Sequence, residues 1–278
     1  INGEIAILGF CEDFGLAREI AARPLVYDEH TLCLAKKYDA EVFVKINTGM
    51  NRLGFSTIGE TASAVKNLRV LGVFTHLSSA DGDDATDRRI TEAQIKNFME
   101  AELVVKNEKD VPFYAENSAA LIKYGRFFDG ARIGIALYGV NPVPGDKTPL
   151  LPVMTFRAAV IAINTVKKGD FIGYSRGYRA KKDMRVAIIS TGYADGLPRA
   201  LSNKGMIFCN GQFLKIVGKV SMDSVAVDAG DADVKIMDEV VVFGDEITVT
   251  DVANRADTLP YEILTGVSER VKRVYKNP

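Results

Sequence analysis

Residues 41–74 read EVFVKINTGMNRLGFSTIGETASAVKNLRVLGVF, and this stretch decides the fold class. The apolar run Val42–Ile46 predicts a buried strand, Thr61–Asn67 predicts an amphipathic helix, and Val70–Phe74 predicts a second strand. Two continuous apolar strands joined by a helix indicate a parallel βαβ unit that is covered on both faces.

The same alternation extends on both sides of this stretch, to about residue 140. Further strands are predicted at Ile5–Leu8, Val111–Tyr114 and Ile133–Tyr138, and further helices at Thr91–Lys106 and Ser118–Tyr124. This order predicts a (β/α)8 barrel of the TIM type. Five or so strands are too few to close an eight-stranded barrel, so we expect an incomplete barrel with two or more βα units upstream of Ile1. An open doubly wound sheet is the alternative, but no Gly-x-Gly-x-x-Gly follows the first strand.

A break in the pattern at Asn141–Asp146, which reads NPVPGD, predicts a domain boundary. We therefore predict an α/β barrel domain over residues 1–146 and a second domain over residues 147–278. The second domain should be mainly antiparallel β, because its apolar runs are short and separated by Gly, Asp and Lys. These runs are Ala158–Ile163, Val186–Ile189, Phe213–Val217, Val225–Val227 and Val240–Phe243. Short helices are predicted at Val252–Arg255 and Tyr261–Ser268.

Composition excludes several classes of protein. The 278 residues are 47% hydrophobic and 26% charged with a net charge of −1, which is typical of a globular protein without a nucleic-acid footprint. The apolar runs are well short of the ~20 residues of a transmembrane helix, so we expect no membrane partner. Three separated cysteines, Cys11, Cys33 and Cys209, favour free thiols in a reducing cytoplasm, and two histidines argue against a zinc site.

Polar residues follow two predicted strands of the barrel domain. Arg52 lies in the loop after Val42–Ile46, at the barrel mouth, where a guanidinium can bind a carboxylate through two parallel hydrogen bonds. His76 ends the strand Val70–Phe74 in the same way and is a candidate base or hydrogen-bonding group. The alternatives are a solvated surface arginine and a structural histidine.

Two further segments predict a ligand site in the same domain. Asn117 and Ser118 stand where a strand gives way to a helix, and the free amides of a helix start suit a phosphate, although capping alone also explains them. Arg132 lies inside an otherwise apolar predicted strand, within Gly130–Gly139, and a guanidinium buried there needs a partner, either a ligand or a structural ion pair. Gly134 would allow the backbone to approach a ligand closely.

In the second domain, Ser190–Gly196 reads STGYADG and places Tyr193 directly after a predicted strand. Neighbouring glycines allow another chain segment to approach the phenol closely. A turn tyrosine that covers the core is the alternative. The segment Gly218–Asp223, which reads GKVSMD, adds a turn followed by Met222 and Asp223.

Together these segments resemble the alanine racemase family, fold-type III enzymes that use pyridoxal 5′-phosphate (PLP). The resemblance runs from Ala6 to Ile263 in the family's order and approximate spacing, and it is most specific at Thr48–Gly54 and Gly192–Gly196. It implies PLP-dependent interconversion of L-alanine and D-alanine by two bases, which supplies D-alanine for peptidoglycan. It also implies a cytoplasmic homodimer whose active site is shared between subunits.

The resemblance implies a role for each candidate residue. Tyr193 is one of the two catalytic bases, supported by His76 and Arg132. Arg132 also faces the pyridine nitrogen, and Arg52 binds the phenolic oxygen and the substrate carboxylate. The remaining cofactor residues are Ser118, Asn117, Gly134, Ile135 and Tyr261. Met222 and Asp223 lie near the substrate, and Lys45 matches a position that is carbamylated in many members, which would give Arg52 an anionic partner.

One departure from the family pattern concerns the lysine that binds PLP covalently. It belongs to an upstream Lys-x-x-x-Tyr-Gly segment that is not found in this sequence. We expect the residues before Ile1 to carry it; the alternative is a non-catalytic PLP-binding fragment. A serine or broad-specificity racemase is a further alternative, against which Tyr261 favours alanine through a tighter pocket wall.

Overall fold

The computed structural model describes residues 4–276 in two compact units. The first unit comprises the residues up to Leu137 together with Asn141–Leu150, and the second comprises Tyr138–Val140 and the residues from Leu151 onward. The outermost residues of the two predicted domains, 1–3 and 277–278, lie outside the described part of the chain.

The first unit contains a five-stranded sheet in which every pair of neighbouring strands is parallel. The strands are β1 (Ile5–Ile7), β2 (Ala22–Val26), β3 (Glu41–Lys45), β4 (Arg69–Phe74) and β5 (Phe113–Tyr114), and their spatial order is their order in the chain. A sheet that advances by one strand at each helical connection is the arrangement of a (β/α)8 barrel. The predicted incomplete barrel is confirmed.

Five helices alternate with these strands: α1 (Phe14–Glu19), α2 (Glu29–Lys37), α3 (Ile58–Asn67), α4 (Ala85–Lys106) and α5 (Ser118–Tyr124). Capping boxes begin α2 at Asp28 and α3 at Thr57, because each N-cap side chain exchanges hydrogen bonds with the third helical residue. The buried side of α4 supplies Phe98, whose ring lies 5.0 Å from that of Phe113. This packing holds α4 against the strand β5.

The predicted strand Ile133–Tyr138 is wrong, because Ile135–Tyr138 forms a 3-10 helix. Only Ile135 of that helix is buried, whereas Leu137 is 64% exposed, so the run does not have the two covered faces of a barrel strand. Arg132 therefore precedes a helical turn rather than lying inside a strand. An apolar run of this length cannot distinguish a strand from a short helix by periodicity.

The second unit is built on a six-stranded antiparallel sheet. Its strands are β6 (Phe156–Val166), β9 (Met184–Ile189), β10 (Met206–Cys209), β11 (Gln212–Lys215), β12 (Val225–Asp228) and β13 (Glu239–Phe243). Their order in the sheet is β11-β10-β13-β6-β9-β12. A two-stranded hairpin joins β7 (Phe171–Ile172) to β8 (Tyr178–Arg179). The predicted antiparallel β domain is confirmed.

Two short helices, α6 (Val249–Ala256) and α7 (Pro260–Gly266), follow the last strand and pack into the core of the second unit through Val252, Ala253 and Ile263. Single 3-10 turns at Tyr174–Arg176 and Arg199–Leu201 interrupt the connections between strands. Within residues 4–276, no helix is both long enough and apolar enough to cross a membrane.

Candidate active site

Three cationic side chains meet at the carboxyl edge of the parallel sheet. Lys45 ends β3, Arg52 lies in the loop that follows, and Arg132 precedes the 3-10 helix at Ile135; we call these three the cation cluster. His76, two residues beyond β4, faces the cluster and feels the charge of all three members. The sequence predicted each of these residues separately, and the structure brings them together.

No member of the cation cluster forms a salt bridge with a carboxylate of residues 4–276, although the more distant charge of Glu116 acts on Arg132. No Asp or Glu of residues 4–276 lies within 4.0 Å of the charged nitrogens of Lys45, Arg52 or Arg132. Burial, together with repulsion by Arg52 and Arg132, lowers the pKa of Lys45 to about 8. A cluster of this kind is a site for an anion.

Arg132 is anchored by backbone carbonyl groups rather than by a buried ion pair. Its Nη2 donates to the carbonyl oxygens of Thr75 at 2.6 Å and Ala115 at 3.2 Å, and its guanidinium lies 5.2 Å from the centre of the Phe74 ring. Its Nε is buried and has no hydrogen-bond partner in the described part of the chain. A buried N–H without an acceptor is costly. A ligand that offers an acceptor atom here would satisfy it.

His76 is a neutral imidazole at physiological pH. Burial, together with the charges of Arg132, Arg52 and Lys45, lowers its pKa to about 4. Nδ1 lies 3.3 Å from Nη2 of Arg132. Because a guanidinium only donates, Nδ1 must accept, and the imidazole proton is therefore on Nε2.

The start of α5 is tied to the segment that follows Arg132. The hydroxyl of Ser118 accepts hydrogen bonds from the amides of Gly134 at 3.1 Å and Ala136 at 3.3 Å, while Asn117 caps the helix by accepting from Ala120. The amide of Ile135, between the two, donates to no residue of 4–276. A Cβ at Gly134 would meet nothing within 4 Å, so the space beside these amides is open.

Glu116 is a buried carboxylate that the sequence analysis missed. Its Oε1 accepts from the amides of Phe127 at 2.5 Å and Phe128 at 3.0 Å, and its carbonyl accepts from the amide of Arg132 at 2.8 Å. Glu116 therefore holds the chain that leads to Arg132. A carboxylate at the end of β5 is a signal that the strand-end rule would have found.

The second unit contains a cavity of about 310 Å³ whose lining includes Tyr174, Tyr193, Arg199, Lys219, Ser221 and Met222. The amide of Tyr193 donates to the carbonyl of Ser221 at 3.0 Å. A Cβ at Gly192 would lie 2.2 Å from the carbonyl oxygen of Met222, so only glycine permits this approach. The structure thus brings the predicted residues Tyr193 and Met222 together.

Two other predicted residues of the second unit are not in the lining of this cavity. Asp223 is bound by Arg270, whose Nη2 lies 2.8 Å from its Oδ1 and whose Nε lies 3.5 Å from Oδ1 of Asp195. Tyr261 is the second residue of α7 and is 51% exposed. Arg270 was missed by the sequence analysis, because nothing in its local sequence points to either aspartate.

Tyr174 and Arg199 line this cavity and were missed by the sequence analysis. Tyr174 is 71% exposed and lies in a turn where Gly173, Ser175 and Arg176 have φ values of 74°, 53° and 55°. Left-handed backbone at two successive residues other than glycine is strained and persists only where the surroundings impose it. The segment Gly173–Gly177 places a phenol between glycines after a strand, which is the signal used for Tyr193.

Comparison with known proteins decides the family. A family model described as "Alanine racemase, N-terminal domain" matches residues 1–142, and one described as "Alanine racemase, C-terminal domain" matches residues 153–275. An alanine racemase of Aquifex aeolicus is 34% identical over 277 residues, which are 99% of this chain and 78% of that protein. The chain belongs to the alanine racemase family.

Solved structures of alanine racemases have the same fold. The enzyme of Bartonella henselae, crystallised with covalently bound pyridoxal phosphate, superposes with a TM-score of 0.84 at 31% identity, covering 99% of this chain and 79% of that one. The enzyme of a D-cycloserine-producing Streptomyces lavendulae gives a TM-score of 0.89 at 29% identity, covering 100% and 79%. The resemblance to the alanine racemase family predicted from sequence is confirmed.

Proposed function

We propose that this chain is a PLP-dependent racemase that interconverts L-alanine and D-alanine. Its relatives carry the name alanine racemase, and one of them was crystallised with covalently bound pyridoxal phosphate. The observation in this chain that carries the proposal is the buried Nε of Arg132, which has no hydrogen-bond partner in residues 4–276 and lies in a cation cluster that forms no salt bridge there. PLP combines an acceptor nitrogen with a phosphate, and these residues fit both.

Each part of PLP has a matching group among the described residues. The nitrogen of its ring matches the donor Nε of Arg132. The phosphate matches the open amide of Ile135 beside Gly134 and the hydroxyl of Ser118, with Asn117 and Tyr261 as further predicted contacts. Arg52 is exposed and makes no hydrogen bond within residues 4–276, so it is available for the substrate carboxylate.

Bound PLP supplies the electron sink that makes the α-proton of an amino acid acidic. The protein supplies orientation and proton transfer. Burial lowers the pKa of Arg132 to about 10, and this value still keeps the guanidinium protonated at neutral pH. Arg132 therefore donates a hydrogen bond without giving up its proton, and neutral His76 accepts from it and holds it in place.

Proton transfer at the α-carbon needs a group on each face of the substrate, and we propose that one is a phenol of the second unit. The sequence predicts Tyr193 for this role. Tyr193 lines the cavity of the second unit beside Ser221 and Met222, which supports this role. Tyr174 lines the same cavity and is the second phenol there.

The first prediction separates the two phenols. In the PLP-loaded protein, Tyr193→Phe should lower kcat/KM by a factor of about 10² or more, as is typical of a lost general base, whereas Tyr174→Phe should lower it by less than about tenfold. The measurement is the change in optical rotation of L-alanine and of D-alanine. The absorbance of bound PLP is the control, because neither substitution should release the cofactor.

The same assay tests the proposed function. A wild type that binds PLP without turning over either enantiomer would contradict a racemase and leave the non-catalytic PLP protein. Faster turnover of L-serine than of L-alanine would contradict alanine as the substrate, since one added group in a pocket is worth only about 1–3 kcal/mol. The opposite ranking of the two variants would assign the role to Tyr174.

We further propose a homodimer in the cytoplasm, with each active site drawn from two subunits. The proposal is supported by the division of the candidate site residues between the two units. The cation cluster belongs to the first unit, whereas both phenols and Met222 belong to the second. A second unit supplied by a partner subunit would complete the site.

A further inference from the structure

Glu116 is a buried carboxylate that the proposed reaction does not use. It lies between β5 and α5, two residues beyond Tyr114, and is only 1% exposed. A buried carboxylate is costly unless it is paired or hydrogen-bonded. Glu116 forms no salt bridge within residues 4–276. The reason for a charge at this position must therefore lie in its other contacts.

The two oxygens of Glu116 have different surroundings. Oε1 accepts hydrogen bonds from the amides of Phe127 at 2.5 Å and Phe128 at 3.0 Å, and such bonds are stronger when the acceptor is ionised. Oε2 is buried and has no hydrogen-bond partner in the described part of the chain. An amide oxygen could replace Oε1 in both bonds. The charge of Glu116 can therefore be removed by substitution without removing either bond.

The segment that Glu116 holds leads directly to Arg132. The amide of Arg132 donates to the carbonyl of Glu116 at 2.8 Å, and its Nη2 donates to the carbonyl of Ala115 at 3.2 Å. Between these contacts, Asp129 and Phe113 exchange two hydrogen bonds, from the amide of Phe113 to Oδ2 at 2.8 Å and from the amide of Asp129 to the carbonyl of Phe113 at 3.0 Å. The end of β5 and the two residues after it thus fix residues 127–132 from one end to the other.

The charge of Glu116 acts on the same side chain that this segment positions. The pKa of Arg132 is about 10, because burial lowers it and the charge of Glu116 partly opposes that change. Arg132 in turn acts on Lys45 and His76, whose charged forms it disfavours. A negative charge at Glu116 therefore favours a guanidinium that keeps its proton and remains a hydrogen-bond donor.

We propose that Glu116 is a positioning residue for the racemase reaction, which fixes residues 127–132 through two amide hydrogen bonds and supplies the negative charge that keeps Arg132 a donor. This inference rests on the function proposed above, in which Nε of Arg132 donates to the ring nitrogen of PLP without giving up its proton. Placement matters steeply in such a site, because a misplacement of about 1 Å can cost a factor of about 10² in rate.

Two substitutions separate the hydrogen bonds of Glu116 from its charge. Glu116→Gln keeps an oxygen for the amides of Phe127 and Phe128 but removes the charge, whereas Glu116→Ala removes both. The matched control is Asp129→Asn in the same segment. It keeps an oxygen for the amide of Phe113 and removes a charge from a side chain that is 46% exposed.

Hydrogen exchange followed by mass spectrometry reads the hydrogen bonds without catalysis, in protein to which no PLP has been added. Peptides that contain the amides of Phe127 and Phe128 should exchange about five- to tenfold faster in Glu116→Ala, as expected for one lost hydrogen bond at each amide. Glu116→Gln and Asp129→Asn should exchange like the wild type in this region. If Glu116→Ala does not fold, Glu116→Gln still tests the effect of the charge.

The ring nitrogen of 15N-labelled PLP reports the effect of the charge. In Glu116→Gln the guanidinium of Arg132 becomes more acidic, so the nitrogen resonance of the bound cofactor should move toward the position of a protonated ring. In Asp129→Asn it should stay at the wild-type position. A carboxylate that only stabilised the fold would leave the resonance unchanged in every folded variant.

Kinetics of the PLP-loaded protein then test the role in the reaction. Glu116→Gln should lower kcat/KM by about three- to tenfold and Glu116→Ala by about tenfold or more, whereas Asp129→Asn should stay within about twofold of the wild type. The loss should be the same for L-alanine and D-alanine, because a substitution cannot change the equilibrium constant between the enantiomers.

The outcomes distinguish this inference from the proposed function. A wild type that racemises alanine, together with a Glu116→Gln variant of normal rate and unchanged nitrogen resonance, would overturn the role of Glu116 alone. So would a change of resonance in Asp129→Asn as large as that in Glu116→Gln. A wild type that binds PLP without turnover would overturn the proposed function and this inference with it.

Discussion

The location of His76, two residues beyond β4, determines its protonation state. Its imidazole lies against three cations, and burial together with their charge lowers its pKa to about 4. In an unfolded chain a histidine titrates near 6.5, so below that pH it binds a proton. Folding releases this proton from His76. His76 can accept from Arg132 throughout the neutral range.

A pH-dependent stability follows from His76. Between pH 6.5 and pH 4 the unfolded chain binds a proton that the folded chain does not, so the free energy of unfolding falls as the pH falls. We expect the loss to be about 2 kcal/mol after allowance for solvent screening at this half-buried site. Urea unfolding at pH 7 and pH 4.5 should show this loss in the wild type and a smaller one in His76→Gln.

His30 provides the control for this measurement. It lies in α2 and is exposed, so His30→Gln should keep the wild-type dependence on pH. An identical pH dependence in His76→Gln and wild type would contradict the neutral imidazole.

Lys45 is the second residue whose chemistry depends on its neighbours. Its pKa of about 8 leaves far more neutral amine near pH 8 than an ordinary lysine has, and a neutral amine is the form that reacts with carbon dioxide. A carbamate at Lys45 would replace a repelled cation by an anion beside Arg52. We therefore expect the wild type to melt about 2–4 °C higher in bicarbonate than in its absence.

Lys45→Gln tests the origin of that shift. The variant should show no response to bicarbonate, since it has no amine to modify. Extra electron density on the amine of Lys45, or a mass increase of one carbon dioxide in the native protein, would establish the modification directly. Equal melting temperatures in the wild type with and without bicarbonate would contradict it.

Some site residues were predictable from sequence and others were not, for a physical reason. Arg52 and His76 follow apolar strands, and the carboxyl ends of parallel strands share one edge, so local sequence predicted their location. Arg270 contacts Asp223, which lies 47 residues away in the chain, and only the folded backbone brings the two together. Tyr174 was predictable in principle but lies between strands of two residues each.

At the scale of elements, the loop between β3 and α3 is shaped by backbone conformation. Gly54 has a φ of 131°, and a Cβ there would lie 2.5 Å from the amide nitrogen of Asn47. Phe55 next to it donates to the carbonyl of Lys45 at 2.9 Å and accepts from the amide of Asn47 at 3.0 Å. These two hydrogen bonds close the loop that carries Arg52.

Gly54→Ala should therefore destabilise the protein and displace Arg52. We expect a loss of about 2–4 kcal/mol in urea unfolding, from the clash and the disfavoured φ together. The control is Gly59→Ala in α3, where a Cβ meets nothing within 4 Å. That variant should gain about 0.5–1 kcal/mol, because alanine favours a helix. A loss in both variants, or in neither, would contradict this account of the loop.

The strand β2 was not predicted from the sequence, because its apolar run is interrupted. The strand β2 contains Arg23 and Pro24, which break its apolar run, and Arg23 is accommodated by an ion pair with Glu41 at 2.9 Å. Local composition cannot show that partner. Long apolar runs and well-capped helices such as α4 were predictable, because their pattern outweighs any single residue.

At the scale of the whole molecule, the proposed shared active site makes a quantitative prediction. Arg52→Ala and Tyr193→Phe should each be nearly inactive as purified proteins. Unfolding, mixing and refolding the two together should restore about a quarter of wild-type activity, because half of the dimers are mixed and one of their two sites is intact. The measurement is the racemisation rate after refolding, compared with each variant refolded alone.

Two results would contradict the shared arrangement. One is a mixture that stays as inactive as its components although both refold. The other is full activity of a species that sediments at the mass of one chain.

The unbalanced charge of the cation cluster has a consequence for the life of the protein in a cell. Three mutually repelling side chains cost folding free energy until a ligand neutralises them, and whatever binds only the folded state stabilises it. Freshly synthesised copies without vitamin B6 should open more often and be degraded first. Scarcity of the vitamin would then reduce the amount of this protein as well as its occupancy.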